Sequence, residues 1–413
     1  MRHLRYAVFI IFVAFNLAGC TDKVSTLSPT APTTAISVSN GSALTGGGMS
    51  TANQDCGNPN DWEPDDSPLQ ACLNKGGHIV LASGGPGYIV NSQALMIRPG
   101  TSLASANLAD RARIIAGRDL FDPILRAEGL SPGDSIKNII FDGMVDEMAP
   151  DGPYRRHLGS CGAKSPGNVI VTGRNFVFDN NDSVKALCGS ALGVYGENFL
   201  ITNNNIVSNG RDKNSGVPGL PWADGMTVLY CGGGYIAHNK FEDNTDIDLV
   251  LGGGRKCVVE LNTIVHKNKH AFAGLAIGNF DGDGQGDHTN SEYRGNKVYS
   301  TRPNVLSIGI LVGSHPWSSR VDIKNAGRIV ANTSYGNVMN FVVEGVYGGE
   351  IFGNTIRDPQ GEDSLCGRRQ ANFTVFPPHS VGVEIQEGWT SMQIDDFSCS
   401  FQQSSADRSR VFQ

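Results

Sequence analysis

From Ile139 onward one spacing recurs along the chain: an apolar residue, two positions, an Asn or Asp, one position, and a second apolar residue. It runs through Ile139-Asp142-Met144, Ile201-Asn204-Ile206, Ile236-Asn239-Phe241, Val259-Asn262-Ile264, Tyr293-Asn296-Val298 and Ile351-Asn354-Ile356, with degenerate copies around Asn175 and Asn332. The polar members stand 22 to 36 residues apart, and the variation falls in the loop after each copy. A repeat of this size with short strands and no amphipathic helix predicts a solenoid of strands. One coil per repeat stacks equivalent residues about 4.8 Å apart, so a column of Asn can hydrogen-bond its neighbours and tolerate burial. Leucine-rich and propeller architectures are disfavoured, because neither the Leu-x-x-Leu-x-Leu period nor a Trp-Asp signature is present.

A second pattern follows each variable loop: a strand with alternating polarity, at Asp224–Leu229, Asp246–Leu251, His270–Ile277 and Ser307–Val312. Alternation points Ile247, Leu249, Leu251, Leu275, Ile277, Ile308, Ile310 and Val312 inward. The opposite parity points Asp224, Asp246, Asp248, His270, Phe272 and Ser307 outward. Three acids and a histidine therefore share the outer face of three consecutive coils.

Ahead of the repeats, Asp65-Asp66-Ser67-Pro68-Leu69-Gln70-Ala71-Cys72-Leu73-Asn74 predicts a short helix. Asp66 suits the N-cap, Pro68 the first turn and Gly76 the C-terminal stop. Leu69, Cys72 and Leu73 give it an apolar face. This opening, followed by Gly76-Gly77-His78-Ile79-Val80-Leu81, resembles that of pectate-lyase-like proteins, in which a capping helix covers the first coil. The resemblance extends over roughly residues 60 to 390 as a repeat pattern. It implies an all-β fold, a right-handed parallel β-helix with a short N-terminal capping helix. The superfamily includes lyases, hydrolases, epimerases and tailspikes, so the fold alone does not select a reaction.

The 413 residues include 52 Gly and are 18% charged, with a formal charge of −7. That balance suits a turn-rich β protein and argues against a nucleic-acid-binding surface. No P-loop or dinucleotide glycine loop is present. At the N-terminus Arg2 and Arg5 precede the apolar run from Tyr6, which ends in Leu17-Ala18-Gly19-Cys20. The run is too short to span a bilayer comfortably and has the layout of an export signal. Its ending resembles a bacterial lipobox, which implies lipidation of Cys20 and, with Thr21 following, an outer-membrane lipoprotein. The expected organisation is a signal peptide over 1–19, a flexible Ser/Thr/Gly-rich tether over 20–55, the solenoid over 56–400 and a tail over 401–413. The other eight cysteines are Cys56, Cys72, Cys161, Cys188, Cys231, Cys257, Cys366 and Cys399. Their even number fits disulfides in an oxidising compartment, and sequential pairing is the expectation taken among many connectivities.

The candidate chemistry lies on the acidic face. Asp224 and Asp246 should stand on adjacent coils about 5 Å apart at the backbone, with Asp248 about 8 Å away diagonally. Crowded carboxylates push one another toward protonation, which supplies an acid and a base at neutral pH. Ala223-Asp224-Gly225-Met226 and Asp246-Ile247-Asp248 are similar to the acid motifs of polygalacturonase-type hydrolases. Ala273, in Phe272-Ala273-Gly274-Leu275, stands where those enzymes carry histidine, and His270 lies three residues earlier. The resemblance implies Asp224 as general acid, Asp246 and Asp248 as activators of water, and His270 in support. Trp222 could stack on a sugar ring. Arg255 and Lys269 could bind a uronate carboxylate, as in a polysaccharide lyase or epimerase. The same face could instead bind polysaccharide without chemistry, as an adhesion lipoprotein. Tailspike relatives leave a homotrimer open.

Finally, Asp281, Asp283, Gln285, Asp287 and Glu292 occupy positions 1, 3, 5, 7 and 12 of a loop with Gly at position 6. That is the spacing of a calcium loop, so Ca2+ is a candidate ligand there, in a structural role.

Overall fold

The chain winds into three parallel sheets of eleven, ten and eleven strands among the described residues, each strand pairing with its equivalents one coil before and after. The computed structural model describes residues 56–144, 167–211, 222–279, 286–313 and 322–361, together with the backbone of strands Ala371–Val375, Val383–Ile385 and Met392–Gln393. The fold is the expected right-handed parallel β-helix. The only helix among the described residues, Asp66–Leu73, buries Leu69, Cys72 and Leu73 against the first coil. Its N-cap is Asp65 rather than Asp66. The Asp65 carboxylate accepts from the amides of Asn58 and Ile89, at 2.9 and 3.0 Å, while Asp66 accepts from Asn91 and Ser92. Both acids thus tie the helix to neighbouring chain. Gly76 ends it, with φ +68° and its N–H donated to the Leu73 carbonyl. Disulfides join Cys56 to Cys72 and Cys231 to Cys257, both sequential pairs, and Cys188 is also disulfide-bonded.

The polar column forms a continuous ladder through Asn181, Asn204, Asn239, Asn262, Asn296, Asn332 and Asn354. Each member from Asn239 to Asn332 does the same work. The Asn262 Oδ1 accepts from the Asn239 backbone N–H (2.9 Å) and side-chain Nδ2 (3.0 Å), and its own Nδ2 donates to the Ile236 carbonyl (3.0 Å) and to Asn296 Oδ1 (3.0 Å). The ladder begins at Asn181 and bypasses Asn175 and Asp142. Asn175 takes up a left-handed turn conformation, φ 53°, and Asp142 pairs with Arg113.

The alternation holds over much of the third sheet but slips at one level, which recurs in successive coils. Leu249, Leu251, Leu275, Ile277, Ile310 and Val312 join the main core as expected. Ile247 and Ile308 instead join a second buried apolar cluster on the outer face, with Val250, Phe272, Ala276, Leu311 and Val342. The slip lies between residues 248 and 249, which both point inward: Leu249 is in the core and Asp248 meets the interior Asn244. In register with Asp248 stand Gly225 and Gly274. A side chain at Gly225 would meet the Asp248 carbonyl oxygen at 2.3 Å and the Asn244 amide at 2.9 Å.

The ladder makes a testable demand. Asn262→Ala leaves the Asn239 amides and the Ile236 carbonyl unpaired at about 1–3 kcal/mol per group. Asn354→Ala breaks the equivalent bonds, from the Asn332 amides and to the Ile329 carbonyl, but at the ladder's end, where the site is 7% rather than 1% exposed and water can replace them. Urea unfolding should therefore show a markedly larger loss of midpoint for Asn262→Ala; equal losses would contradict the ladder's role.

Candidate functional site

The acidic site stands at the entry of two adjacent third-sheet strands, Ala223–Gly232 and Ile247–Leu251. Their register, Met226 opposite Leu249 and Thr227 opposite Val250, places Asp224 level with Ile247. Asp246 lies one residue earlier. Asp224 is half-buried on the outer face, and its carboxylate is well supplied with donors. Oδ1 accepts from the Ile247 amide at 3.2 Å, and Oδ2 accepts from Thr227 Oγ1 at 2.6 Å and Ser190 Oγ at 3.4 Å. Asp246 differs. It is 8% exposed, and among the described residues its carboxylate has no hydrogen-bond partner. Only its backbone is held, the N–H by Ala223 and the C=O by Phe272 and Ala273.

These surroundings set the acidities. Burial pushes Asp224 up to about 6, against the pull of its three donors, and the Asp248 carboxylate adds to the rise. Burial pushes Asp246 well above the ordinary carboxylate range, and the neighbouring Asp224 charge pushes it further. The two titrate as a pair. Asp224, whose donors favour the ionised form, releases the first proton and Asp246 retains the second.

Asp248 does not join them on the outer face. It is 0% exposed, with Oδ1 accepting from Asn244 Nδ2 at 2.8 Å and Oδ2 lying 2.6 Å from His266 Nε2. The outward placement expected from alternation fails here because the strand turns two consecutive residues inward. His266, at the end of the strand Thr263–His266, was not among the expected site residues. Asn204–Asn209, Asn239–Asn244 and Asn332–Asn337 share a five-residue spacing that the copies at Asn181, Asn262, Asn296 and Asn354 lack, so no pattern in the sequence singles out His266.

His270 is half-buried just before the strand Ala271–Ile277, and Trp222 is half-buried just before Ala223. Lys269 turns its ammonium to the carbonyls of Ser208 and Gly210, both at 3.0 Å. Arg255 lies past the exit of Ile247–Leu251, where its guanidinium donates twice to Asp287 Oδ2, at 3.0 and 2.6 Å. Sequence reasoning also passed over Tyr195 and Tyr230, whose rings lie 5.5 Å apart on neighbouring strands, Tyr195 being 53% exposed. A register irregularity between Val194 and Tyr195 accompanies them.

Of the calcium-loop residues, Asp281, Asp283 and Gln285 lie outside the described residues, as does Cys20. The other two face cations rather than a common point. Burial would raise Asp287, but Thr289 and Arg255 outweigh it and hold its carboxyl down to about 2. Glu292 pairs with Arg294 at 2.7 Å and Arg328 at 3.2 Å. His288, between them in sequence, is sealed in the core against Tyr293 and the Gly278 carbonyl, and burial pushes it down to about 4.

No protein-family model matches the chain, and no curated protein matches its sequence. Solved structures do resemble it. The A-module of mannuronan C-5 epimerase AlgE6 from Azotobacter vinelandii matches with a TM-score of 0.54 and 14% identity, over 81% of this chain and 89% of that one. The tailspike protein of E. coli bacteriophage HK620, in complex with a pentasaccharide, matches with a TM-score of 0.50 and 12% identity, over 81% of this chain and 62% of that one. At such identities the likeness is one of fold, and it places the chain among the parallel β-helix proteins.

The acid pair has a consequence for stability. An unfolded Asp ionises near pH 4 (about 3.9), whereas folded Asp246 keeps its proton to much higher pH. Between those values the folded state binds a proton that the unfolded state has lost, so wild-type stability falls as pH rises. Asp246→Asn removes this loss. Its melting temperature should match wild type near pH 4 and exceed it increasingly toward pH 8, and parallel curves would contradict the raised pKa of Asp246.

Proposed function

We propose that this protein is a polysaccharide-active enzyme, most concretely a glycoside hydrolase, working at the Asp224–Asp246 pair. The observation that carries the reading is the pair itself: two carboxyls on adjacent strands at one outward edge, both raised in pKa by burial. Hydrolysis of a glycosidic bond needs one carboxylic acid to protonate the leaving oxygen and one carboxylate to activate water or attack carbon. Asp246 fits the acid, since nothing near it stabilises its charge. Asp224 fits the base, with three donors to hold its ionised form. These roles are the reverse of those implied by the motif resemblance.

Carbohydrate as the substrate class is supported by the relatives of similar fold, a mannuronan epimerase and a tailspike solved with a pentasaccharide. The exposed Tyr195–Tyr230 pair on the same sheet could stack against sugar faces. A lyase or epimerase site built on Arg255 and Lys269 has less support, because one guanidinium is paired with Asp287 and the Lys269 ammonium is directed to backbone carbonyls. The proposal takes the chain to be exported and anchored through lipid on Cys20, on the strength of the Leu17–Cys20 motif.

The test is product release from neutral and acidic polysaccharides, mannuronan included, scoring reducing ends, absorbance of unsaturated uronates and solvent-hydrogen exchange at C5. Reducing ends without absorbance, falling by about 100-fold or more in Asp224→Asn, are the expected result. Absorbance or C5 exchange would replace hydrolysis by elimination or epimerisation, and binding without any product would make the chain an adhesion protein. The acid limb of kcat/KM should have its midpoint at about 6. Thr227→Val removes a donor that favours ionised Asp224, so this limb should move to higher pH. A limb that stays in place would separate the activity from Asp224.

A further inference from the structure

Inside the coil, beneath the outward acids, the hydrogen bonds of His266 determine where a proton sits. The ring is 0% exposed and presents both nitrogens to oxygen: Nδ1 lies 2.9 Å from the Lys269 carbonyl, and Nε2 lies 2.6 Å from Asp248 Oδ2. A carbonyl oxygen only accepts, so Nδ1 carries a hydrogen. A neutral ring of that tautomer has a bare Nε2, which cannot face an ionised carboxylate at this distance without a proton between them.

The other oxygen of Asp248 offers no escape. It accepts from Asn244 Nδ2, and the orientation of that amide is set by its neighbours: Asn244 Oδ1 accepts from Asn209 Nδ2 at 2.6 Å, and its Nδ2 also donates to the Ile206 carbonyl at 3.1 Å. The Asp248–His266 unit therefore holds one proton and has zero net charge. It can be drawn as imidazolium with carboxylate, or as neutral imidazole with carboxylic acid.

We propose that His266 is a positioning residue for the acid pair: by the proton it shares with Asp248 it prevents a bare negative charge from standing beneath Asp224, and so lets Asp224 ionise before Asp246. This rests on the acid pair being the reactive site. The other charged groups facing the unit are accounted for. Asp243 lies 3.8 Å from His266 Nδ1, and its carboxylate accepts from the amides of Lys267, Asn268 and Lys269. The Lys267 ammonium pairs with Glu242, the Lys269 ammonium lies on backbone carbonyls, and Asp224 and Asp246 stand on the outer side. Burial alone would push His266 down, but Asp248, with a smaller contribution from Asp243, holds it above the ordinary histidine value.

His266→Gln keeps an amide donor for Asp248 but brings no proton to neutralise it. The midpoint of Asp224 can be read without substrate, by 13C NMR of labelled aspartate carboxyls assigned with Asp224→Asn. In His266→Gln it should rise by about one unit. In His266→Gln combined with Asp248→Asn it should return to the wild-type value or below. In the wild type, 15N spectra should show a proton on or shared by both His266 nitrogens at neutral pH. An unshifted Asp224 midpoint in the folded single variant would overturn the proposal, and so would a wild-type His266 with one unprotonated nitrogen at neutral pH. If His266→Gln does not fold, the wild-type imidazole spectrum decides alone. A purely structural His266 would lower stability without moving the Asp224 midpoint. None of these readings uses a sugar, so failure of the hydrolase reading and failure of this one are separately visible.

Discussion

A coil that turns sharply inside a solenoid leaves backbone groups facing one another in an apolar interior, and the asparagine ladder is what satisfies them. Asparagine suits the position because its short amide both donates and accepts. Asn204, Asn239, Asn262, Asn296 and Asn332 each take the backbone N–H of the coil before and hand their own to the coil after. In the coil before Asn181 the ladder level is held by Ile139, whose N–H goes to Asn181 Oδ1, while Asp142, level with Val184, pairs with Arg113. The ladder holds successive coils in register, and register is what brings Asp224 beside Asp246.

The acid pair also marks a boundary on the outer face of the third sheet. On the earlier coils that face carries Ser190 and Thr227, which hydrogen-bond to each other at 2.6 Å and to Asp224. On the later coils it carries Ile247, Val250, Ala276 and Leu311, all buried. Asp224 lies on the polar side with donors in reach. Asp246 adjoins the apolar side, between Ile247 in sequence and Phe272, whose amide holds its carbonyl. The difference in acidity that divides their proposed roles comes from this change of surroundings over a few ångströms, since the two side chains are chemically identical.

Much of this was legible in the chain. Repeated spacing around Asn204 through Asn354 predicted the solenoid because equivalent residues in stacked coils meet equivalent partners. The apolar face of Leu69, Cys72 and Leu73 predicted the cap for the same reason. What was not legible followed from departures from regularity. Alternation assumes an unbroken pleat, and it fails at Asp248 because Asp248 and Leu249 both turn inward. The glycines at 225 and 274, level with Asp248, were the trace of that turn in the sequence. His266 lies 18 residues from Asp248 and in no motif with it, so no repeat or spacing marked it.

The Asp248–His266 pairing has an evolutionary side. Solenoids grow and shrink by gaining or losing whole coils, and a ladder of identical asparagines is indifferent to how many rungs it has. The Asp248–His266 unit is not, since it depends on Asn244 before it and on glycines at the level of Asp248 in the coils on either side. Duplication near the ends of the axis would lengthen the protein and leave the unit whole. Duplication through residues 225–274 would separate its members. The middle of this solenoid is therefore the part whose length lineages cannot freely edit, whatever happens to the length of the rest.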